Sequence, residues 1–318
     1  MYGPSTVHFG VCMPTVHRTI EIIGVPSDLG ANIRGSNMGP SALRVAGLAE
    51  KIESLGYRTV DTGDIQVPVR ETIPAADATL KYLPQVTRIC QELATRTQGA
   101  MQKGHLPLAL GGEHSLAAGT MAGVHSYFHH RSEHFGLIWI DAHGDVNTPQ
   151  TSPSGNLHGM PLAVLLGEGH AGLVSIGASP RKLKPENVAL VGIRILDAAE
   201  KETVRKCGIR YFTMREIDER GMFAVMKDAL AIATKDTAGI HLSFDLDGVD
   251  PLYAPGVSTA VNGGLDYREA HLAMEMISDT GKLRSMDLVE LNPMTDVNHK
   301  TALLAIELIQ SALGKSIV

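Results

Sequence analysis

Residues 135–145 read FGLIWIDAHGD, an apolar run that ends in a cluster of ligand-type side chains. Phe135–Ile140 is almost uniformly apolar, which is typical of a parallel strand covered on both faces. Asp141, His143 and Asp145 follow at every second position, and alternate side chains of an extended segment share one side. This stretch predicts a buried strand of an α/β protein with metal-binding groups at its carboxyl end.

The same order of apolar strand and helix-like segment repeats along the chain. The alternation predicts an α/β fold, built either as an open parallel sheet or as a barrel. The predicted strands are Thr19–Val25, Leu106–Leu110, Phe135–Ile140, Val188–Ile193, Gly239–Phe244 and Arg284–Val289. The predicted helices are Ser41–Ser54, Val86–Gln102, Glu202–Cys207, Met222–Ala233, Tyr267–Asp279 and Lys300–Leu313.

Composition limits the class of protein and its partners. The 318 residues are 44% hydrophobic and 19% charged, which fits one large globular unit, expected over residues 19–318 as a single catalytic domain. Residues 1–18 are expected to form a flexible leader. The net charge of −6 and the absence of a Lys/Arg run argue against nucleic acid as a partner. Three scattered cysteines and no apolar run of about 20 residues indicate a cytoplasmic protein without a membrane partner.

Other predicted strands also end in ligand-type side chains. His114 follows the second predicted strand, Asp245 and Asp247 follow the fifth, and Glu290 follows the sixth. Because ligands bind at the carboxyl ends of strands in α/β sheets, we expect these groups to converge on one site. A single Asp in such a place is usually a helix cap or a turn former. Three separate clusters favour a metal centre instead, built from His114, Asp141, His143, Asp145, Asp245 and Asp247.

This set has a definite metal preference. Two imidazoles and four carboxylates suit hard divalent ions such as Mn²⁺ better than metals that prefer thiolates. Four negative ligands also balance two dications. Such a centre can lower the pKa of bound water, so that a metal-bound hydroxide is the expected nucleophile.

Six motifs in order make the chain resemble a known family, the arginase and agmatinase ureohydrolases. They are GGEHS at 111–115, DAHGDVNTP at 141–149, SPSGNLHGMP at 152–161, SFDLDGVDP at 243–251, APGVST at 254–259 and VELNP at 289–293. A seventh segment, VPSDLGANIRGSNMGPSALR at 25–44, is similar to the bacterial arginase branch. The resemblance implies an open parallel sheet flanked by helices on both faces, in three α/β/α layers.

The resemblance also implies how the ligands are shared between two Mn²⁺ ions. Asp141 and Asp245 would bridge the ions. One ion would be held by His114, Asp141, Asp145 and Asp245, and the other by Asp141, His143, Asp245 and Asp247.

The family pattern further implies roles around the substrate. Glu290 stands where the family has a glutamate that pairs with the guanidinium group and aims its carbon at the hydroxide. Asp145 and His158 match the residues that carry a proton to the departing amine. The α-carboxylate and α-amino groups of an amino-acid substrate would be bound by Asn147, Ser154, Asn156 and Asp197, with Thr259 near the guanidinium end.

The chain departs from the family pattern at a few positions. Glu113 replaces the commoner Asp before His114, and Ser258 and Ala260 stand where Gly and Pro are usual. A position that required positive φ would be strained by serine, because only glycine adopts that conformation freely. These departures bear on loop geometry and leave all six predicted metal ligands in place.

Taken with the resemblance, the residues predict an enzyme that hydrolyses L-arginine to L-ornithine and urea with two Mn²⁺ ions per chain. One alternative is an agmatinase or guanidino-acid hydrolase, which would lack contacts to an α-carboxylate. Another is a non-catalytic binding protein on the same fold, which would be expected to have lost ligands. Tyr267-Arg268-Glu269 is similar to a family segment at subunit contacts, so a homo-oligomer, trimer or hexamer, is expected.

Overall fold

The computed structural model describes residues 19–74 and 79–316, and it contains a parallel sheet of eight strands. The strands are paired in the order β2-β1-β3-β8-β7-β4-β5-β6, so the sheet is open and not a barrel. The strands are β1 (Thr19–Val25), β2 (Arg58–Asp64), β3 (Leu106–Gly111), β4 (Gly136–Ile140), β5 (Val188–Ile193), β6 (Arg210–Thr213), β7 (Ile240–Asp245) and β8 (Leu283–Val289).

Helices cover both faces of the sheet and give the expected three layers. One face packs against α1, α2 and α8–α11 and the other against α3–α7, with apolar cores on both sides. The helices are α1 (Gly39–Val45), α2 (Leu48–Glu53), α3 (Leu83–Gln102), α4 (Ala117–His129), α5 (Pro161–Leu165), α6 (Ala171–Val174), α7 (Ala198–Cys207), α8 (Met214–Arg220), α9 (Met222–Thr234), α10 (Tyr267–Asp279) and α11 (Lys300–Ala312). None of these helices within the described ranges is long and apolar enough to cross a membrane.

The sequence prediction failed where the signal was polar or where a glycine interrupts an apolar pattern. The predicted helix Ser41–Ser54 is wrong, because Gly47 adopts a left-handed φ of 86° and separates α1 from α2. Strands β2 and β6 were missed. They lie at the two edges of the sheet, and β2 is largely exposed, so neither has the apolar run of a central strand.

Helix α4 was also missed, and its glycines explain why. Gly119 and Gly123 lower the helix propensity of the segment, yet both face α3 at close range. A Cβ atom at Gly119 would lie 2.7 Å from the Cα atom of Cys90, and a Cβ at Gly123 would lie 2.4 Å from the carbonyl oxygen of Ala94. The two glycines therefore let α3 and α4 approach more closely than side chains would allow.

Two predictions about the extent of the domain stay predictions. The leader expected at residues 1–18 lies outside the described residues. The single catalytic domain expected over residues 19–318 agrees with the presence of all eight strands in one sheet, without being tested by it.

We predict that Gly123→Ala destabilises the protein by about 1–3 kcal/mol, because the added methyl group must displace the backbone of α3. The matched control is Gly99→Ala in α3, where a Cβ would meet no described atom within 4 Å. That change should be neutral or should stabilise by up to about 1 kcal/mol through helix propensity. Urea unfolding of both variants measures the difference, and equal effects would contradict the close approach of the two helices.

Candidate active site

The predicted ligand residues follow four strands that are neighbours at the centre of the sheet. In the order β3-β8-β7-β4, His114 comes three residues after β3, Glu290 follows β8, Asp245 ends β7 and Asp141 follows β4. All four strands are parallel, so their carboxyl ends meet at one edge. The convergence expected from topology is therefore present.

Short turns aim alternate side chains at the same point. Asp141 Oδ1 accepts a hydrogen bond from the backbone N–H of His143 at 2.6 Å, and Asp245 Oδ1 accepts one from the N–H of Asp247 at 2.8 Å. A carboxylate that accepts from the backbone two residues later forms a tight turn. In both motifs the second oxygen, Oδ2, lies near His114 Nδ1, and Oδ2 of Asp141 also accepts from the indole N–H of Trp139 at 3.0 Å.

The first group of candidate metal ligands surrounds the Nδ1 atom of His114. Carboxylate oxygens of Asp245, Asp145 and Asp141 lie 3.0, 3.1 and 3.2 Å from it. This nitrogen is buried and makes no hydrogen bond within the described part of the chain, despite the oxygens around it. An imidazole nitrogen inside such an oxygen cage fits a divalent metal ion.

The second group lies beside the first. His143 Nδ1 is 3.1 Å from Asp247 Oδ2 and 3.4 Å from Asp141 Oδ1. Asp141 therefore presents one oxygen to each histidine and belongs to both groups of possible ligands, His114–Asp141–Asp245 and Asp141–His143–Asp247. This arrangement is compatible with a bridging Asp141, whereas Asp245 lies within 4 Å of the His114 ring nitrogen and of no other histidine nitrogen in the described part of the chain.

The four aspartates are crowded and almost completely buried, with exposed fractions of 6% or less. Burial and the neighbouring charge of Asp141 raise the pKa of Asp145 to about 7. Burial and the charges of Asp247 and Asp141 likewise raise the pKa of Asp245 well above its usual value. Carboxylates with a raised pKa, such as Asp145 and Asp245, hold protons more readily unless a cation compensates their charge, so the donor set suits metal ions.

Glu290 and His158 form a pair above this cluster. Glu290 Oε1 accepts from the backbone N–H of His114 at 3.1 Å and lies 3.1 Å from His158 Nδ1. Its other oxygen, Oε2, is buried and has no partner among residues 19–74 and 79–316. A buried carboxylate oxygen without a donor is costly, which indicates that a ligand completes the site.

Two residues of the cluster have strained backbones. Asp145 has a φ of 53° and Glu290 a φ of 65°, in the left-handed region that residues with a Cβ rarely adopt. Such conformations persist where the surrounding structure enforces them, and they concentrate at functional sites. Asp145 lies in the wall of the cleft described below, whereas Glu290 is not in that wall and contacts it through His158.

The cleft beside the cluster has a volume of about 140 Å³. Three predicted substrate or catalytic residues that are not candidate ligands, Asn147, His158 and Thr259, lie in its wall. The hydroxyl of Thr259 donates to Asp247 Oδ2 at 2.8 Å. The full wall consists of His114, His143, Asp145, Asn147, His158, Gly159, Glu200, Asp245, Asp247 and Thr259.

The other predicted substrate contacts lie around this wall. Asn147 donates from Nδ2 to Asp197 Oδ2 at 2.8 Å and accepts from the Thr151 hydroxyl at 2.8 Å. Ser154 and Asn156 stand further out, in a loop where Ser154 Oγ accepts from the backbone N–H of Asn156. Asp197 is thus joined directly to the cleft wall, whereas the Ser154–Asn156 loop lies beyond it.

Sequence reasoning missed Glu200, which lines the cleft and is 7% exposed. Its carboxylate accepts from the backbone N–H of Asp197, while the Asp197 side chain accepts from the N–H of Glu200. This reciprocal pair is a capping box at the start of α7. The D-x-x-E spacing at 197–200 could have revealed both the helix start and the residue.

The departures from the family pattern have simple structural outcomes. Ser258 does not have a positive φ, so serine is not strained there, and its hydroxyl accepts from Asn292 Nδ2 at 3.0 Å. Glu113 is fully buried and accepts from the backbone N–H groups of Gly30 and Ser115. The longer side chain therefore ties the first loop of the chain to the turn that carries His114.

The fold and the site define the class as a three-layer α/β protein with a candidate metal centre. The arginase family matches residues 18–314. The arginases of Bacillus caldovelox and Brevibacillus brevis are 48% and 46% identical, each covering 95% of this chain and 100% of the relative. The solved structure of the Bacillus caldovelox arginase matches with a TM-score of 0.90, over 95% of this chain and 100% of that one. The chain therefore belongs to the arginase family and is an enzyme, a hydrolase of that family.

We predict that Mn²⁺ binds more tightly as the pH rises from about 6 to about 8, because carboxylates must lose their protons before they hold a cation. Asp145, with its pKa raised to about 7, titrates in this range. Titration with Mn²⁺ at both pH values gives the dissociation constants, and calorimetry in two buffers counts the protons released. Asp145→Asn should release fewer protons, and affinity independent of pH would contradict the charge crowding.

Proposed function

We propose that this enzyme hydrolyses L-arginine to L-ornithine and urea at a centre of two Mn²⁺ ions. The observation that carries the proposal is the buried, unpartnered Oε2 atom of Glu290 opposite the acid and histidine cluster. A guanidinium group offers paired N–H donors and a positive charge to such an oxygen. The relatives that cover the chain are named arginases, which supports the same substrate.

The cluster residues would hold the ions as the resemblance to the family implies, and the distances support each ligand except Asp245 at the second ion. His114, Asp141, Asp145 and Asp245 would hold one Mn²⁺, and Asp141, His143, Asp245 and Asp247 the other. When bound, the ions would lower the pKa of a water molecule and so supply hydroxide near neutral pH. All six candidate ligands are present, which disfavours a non-catalytic binding protein.

Glu290 would orient the substrate. The guanidinium carbon is delocalised and a poor electrophile, so its rate of attack depends on alignment. Glu290 is fixed by its bonds to the His114 backbone and to His158, and its strained backbone allows little movement. One carboxylate oxygen is thereby committed to the protein and the other is left for the guanidinium group.

His158 is suited to deliver the proton that the departing amine needs. Burial lowers the pKa of His158, but the hydrogen bond and charge of Glu290 outweigh this effect and raise the pKa to about 9. The imidazole is therefore protonated near neutral pH and lies in the cleft wall. Asp145, also in the wall, would be the first carrier of the proton.

The far end of the cleft carries groups for the amino-acid portion of arginine. Asn147 would donate to the α-carboxylate, with Ser154 and Asn156 contributing further polar contacts. Asp197 would accept from the α-amino group, and Thr259 would lie toward the guanidinium end. The direct Asn147–Asp197 hydrogen bond places a donor for the carboxylate and an acceptor for the amine side by side. An agmatinase-type enzyme would not need the donor for the carboxylate.

We further propose that the enzyme works in the cytoplasm as a homo-oligomer, a trimer or hexamer. The resemblance of Tyr267-Arg268-Glu269 to a family segment at subunit contacts supports this, as does the exposure of Tyr267 and Arg268 at the start of α10. Cys90 and Cys207 are free thiols, as suits a reducing compartment.

We predict a preference of roughly 10⁴-fold in kcat/KM for L-arginine over agmatine, which lacks only the α-carboxylate. Asn147→Ala should lower kcat/KM for arginine about 10- to 100-fold and leave the slow reaction with agmatine nearly unchanged, because agmatine has no carboxylate to lose. Steady-state kinetics with both substrates measure the two effects.

Asp197→Asn is the matched variant for that experiment. Asparagine at this position can still cap α7. It lacks the negative charge that would pair with the amino group, which arginine and agmatine share. It should therefore lower kcat/KM for both substrates together. Equal hydrolysis of arginine and agmatine by the wild type would overturn the substrate assignment while leaving the metal centre open to separate test.

We predict that His158→Ala lowers kcat about 10²-fold without changing the Mn²⁺ content from two ions per chain, because the residue moves a proton and holds no metal. Added imidazole should restore part of the rate. His134→Ala, an exposed histidine outside the cleft wall, is the control and should retain full turnover. Normal turnover of His158→Ala, or loss of its metal, would contradict the proposed role.

A further inference from the structure

Four buried polar side chains form a network on β7 and β8 behind the candidate metal centre. Ser243 Oγ is 2.9 Å from His114 Nε2 and 2.5 Å from Asp287 Oδ1. His241 Nε2 is 3.0 Å from Asp287 Oδ2, and His241 Nδ1 is 2.8 Å from Ser285 Oγ. We call His241, Ser243, Ser285 and Asp287 the buried relay; all four are 0% exposed.

The sheet register brings the relay together. Ser243 is paired with Asp287 and His241 with Ser285 on adjacent parallel strands. Because side chains alternate along a strand, all four point to the same face of the sheet, while Leu242 and Phe244 pack on the other face. Ser243 is the relay residue nearest to the metal cluster. Its hydroxyl contacts His114 Nε2, whereas the carboxylate oxygens surround the other ring nitrogen, Nδ1.

Asp287 determines the direction of every hydrogen bond in this network. An ionised carboxylate only accepts, so the Ser243 hydroxyl and the His241 Nε2–H must both donate to it. Ser243 has then used its single proton and can only accept from His114, whose proton must be on Nε2. This leaves the Nδ1 lone pair of His114 facing Asp141, Asp145 and Asp245.

A purely structural role does not account for Asp287 and Ser243. A carboxylate in the core of a sheet carries a large desolvation cost, and apolar residues of similar size often stabilise such positions equally well or better. None of the four relay residues lies in the wall of the substrate cleft. Among the residues that the structure describes, their side-chain hydrogen bond toward the site is the one between Ser243 and His114.

The other neighbour of His114 cannot replace the relay. Trp139 stacks on the imidazole with ring centroids 4.2 Å apart and planes inclined by 14°. Stacking fixes the plane of the ring but not which nitrogen carries the proton, nor which way round the ring lies. The hydrogen bond to Ser243 decides both.

We propose that Asp287 is a positioning residue for the metal centre, acting through Ser243 to hold His114 in its Nε2–H tautomer with Nδ1 toward the metal. The inference rests on the proposed metal centre and concerns the affinity of the ion that His114 binds. Groups that orient a metal-binding histidine in this way typically change metal affinity about 10- to 100-fold when removed.

The test is Asp287→Asn, with Mn²⁺ as the probe and the full chain stripped of metal. An amide can donate as well as accept, so Ser243 no longer has a fixed direction and His114 can adopt either tautomer. We expect the Kd of one of the two Mn²⁺ ions to rise about 10- to 100-fold. The ¹⁵N shifts of the His114 ring, recorded in the metal-free protein at a pH high enough for the imidazole to be neutral, should change from one tautomer to a mixture.

Two serine variants make the test sharper. Ser243→Ala removes only the hydroxyl that links Asp287 to His114, and it should reproduce both effects even if Asp287→Asn does not fold. Ser285→Ala is the matched control, because it removes a hydroxyl on the far side of His241 and leaves the Asp287 carboxylate in place. It should bind Mn²⁺ as the wild type does and retain the Nε2–H tautomer.

Wild-type Mn²⁺ affinity and an unchanged ring pattern in Ser243→Ala would overturn the inference. So would an equal loss of affinity in Ser285→Ala and Ser243→Ala, since that would indicate a general packing effect. The readouts are metal affinity and ring-nitrogen shifts and not turnover. They therefore separate failure of this inference from failure of the proposed substrate.

Discussion

The constraint on which the rest of the structure depends is the crowding of negative charge at the centre of the sheet. Asp141, Asp145, Asp245 and Asp247 are buried within contact distance of two histidines. Buried carboxylates beside one another repel and have lost their hydration, so without cations this cluster lowers the stability of the fold. Bound metal ions would remove that cost. The surrounding turns, strained backbones and buried hydrogen bonds all serve to hold it in place.

Parallel pairing is what makes such crowding possible. The residues of the cluster are far apart in sequence, but β3, β8, β7 and β4 are neighbours and run in one direction, so their ends coincide. Each strand contributes a turn immediately after its last buried residue. A shift of one residue in the register of β7 would move Asp245 away from His114 and bring Ser243 out of line with Asp287.

The difference between central strands, edge strands and strand order explains which features could be predicted from the sequence. The central strand β4 is apolar throughout and is followed directly by Asp141, His143 and Asp145, so the strand and the DxHxD motif could be predicted together. Edge strands β2 and β6 have no such signal. His241 and Asp287 could not be recognised either, because their relation to His114 depends on a strand order that the sequence does not display. Glu200 was missed although its capping-box spacing was visible.

The two ends of the site are organised in different ways, and the difference bears on specificity. Around His114 the ring Nε2 atom and the backbone N–H are already paired inside the protein, and the unpartnered atoms there, within the described part of the chain, are His114 Nδ1 and Glu290 Oε2. At the far end Asn147 and Asp197 are paired with each other. A substrate with both an α-carboxylate and an α-amino group can replace that bond with two charge-assisted ones, whereas a substrate with only one of these groups leaves a partner unsatisfied. Under the proposed function, discrimination would arise from breaking the Asn147–Asp197 hydrogen bond, at the amino-acid end of the substrate and not at the guanidinium group that reacts.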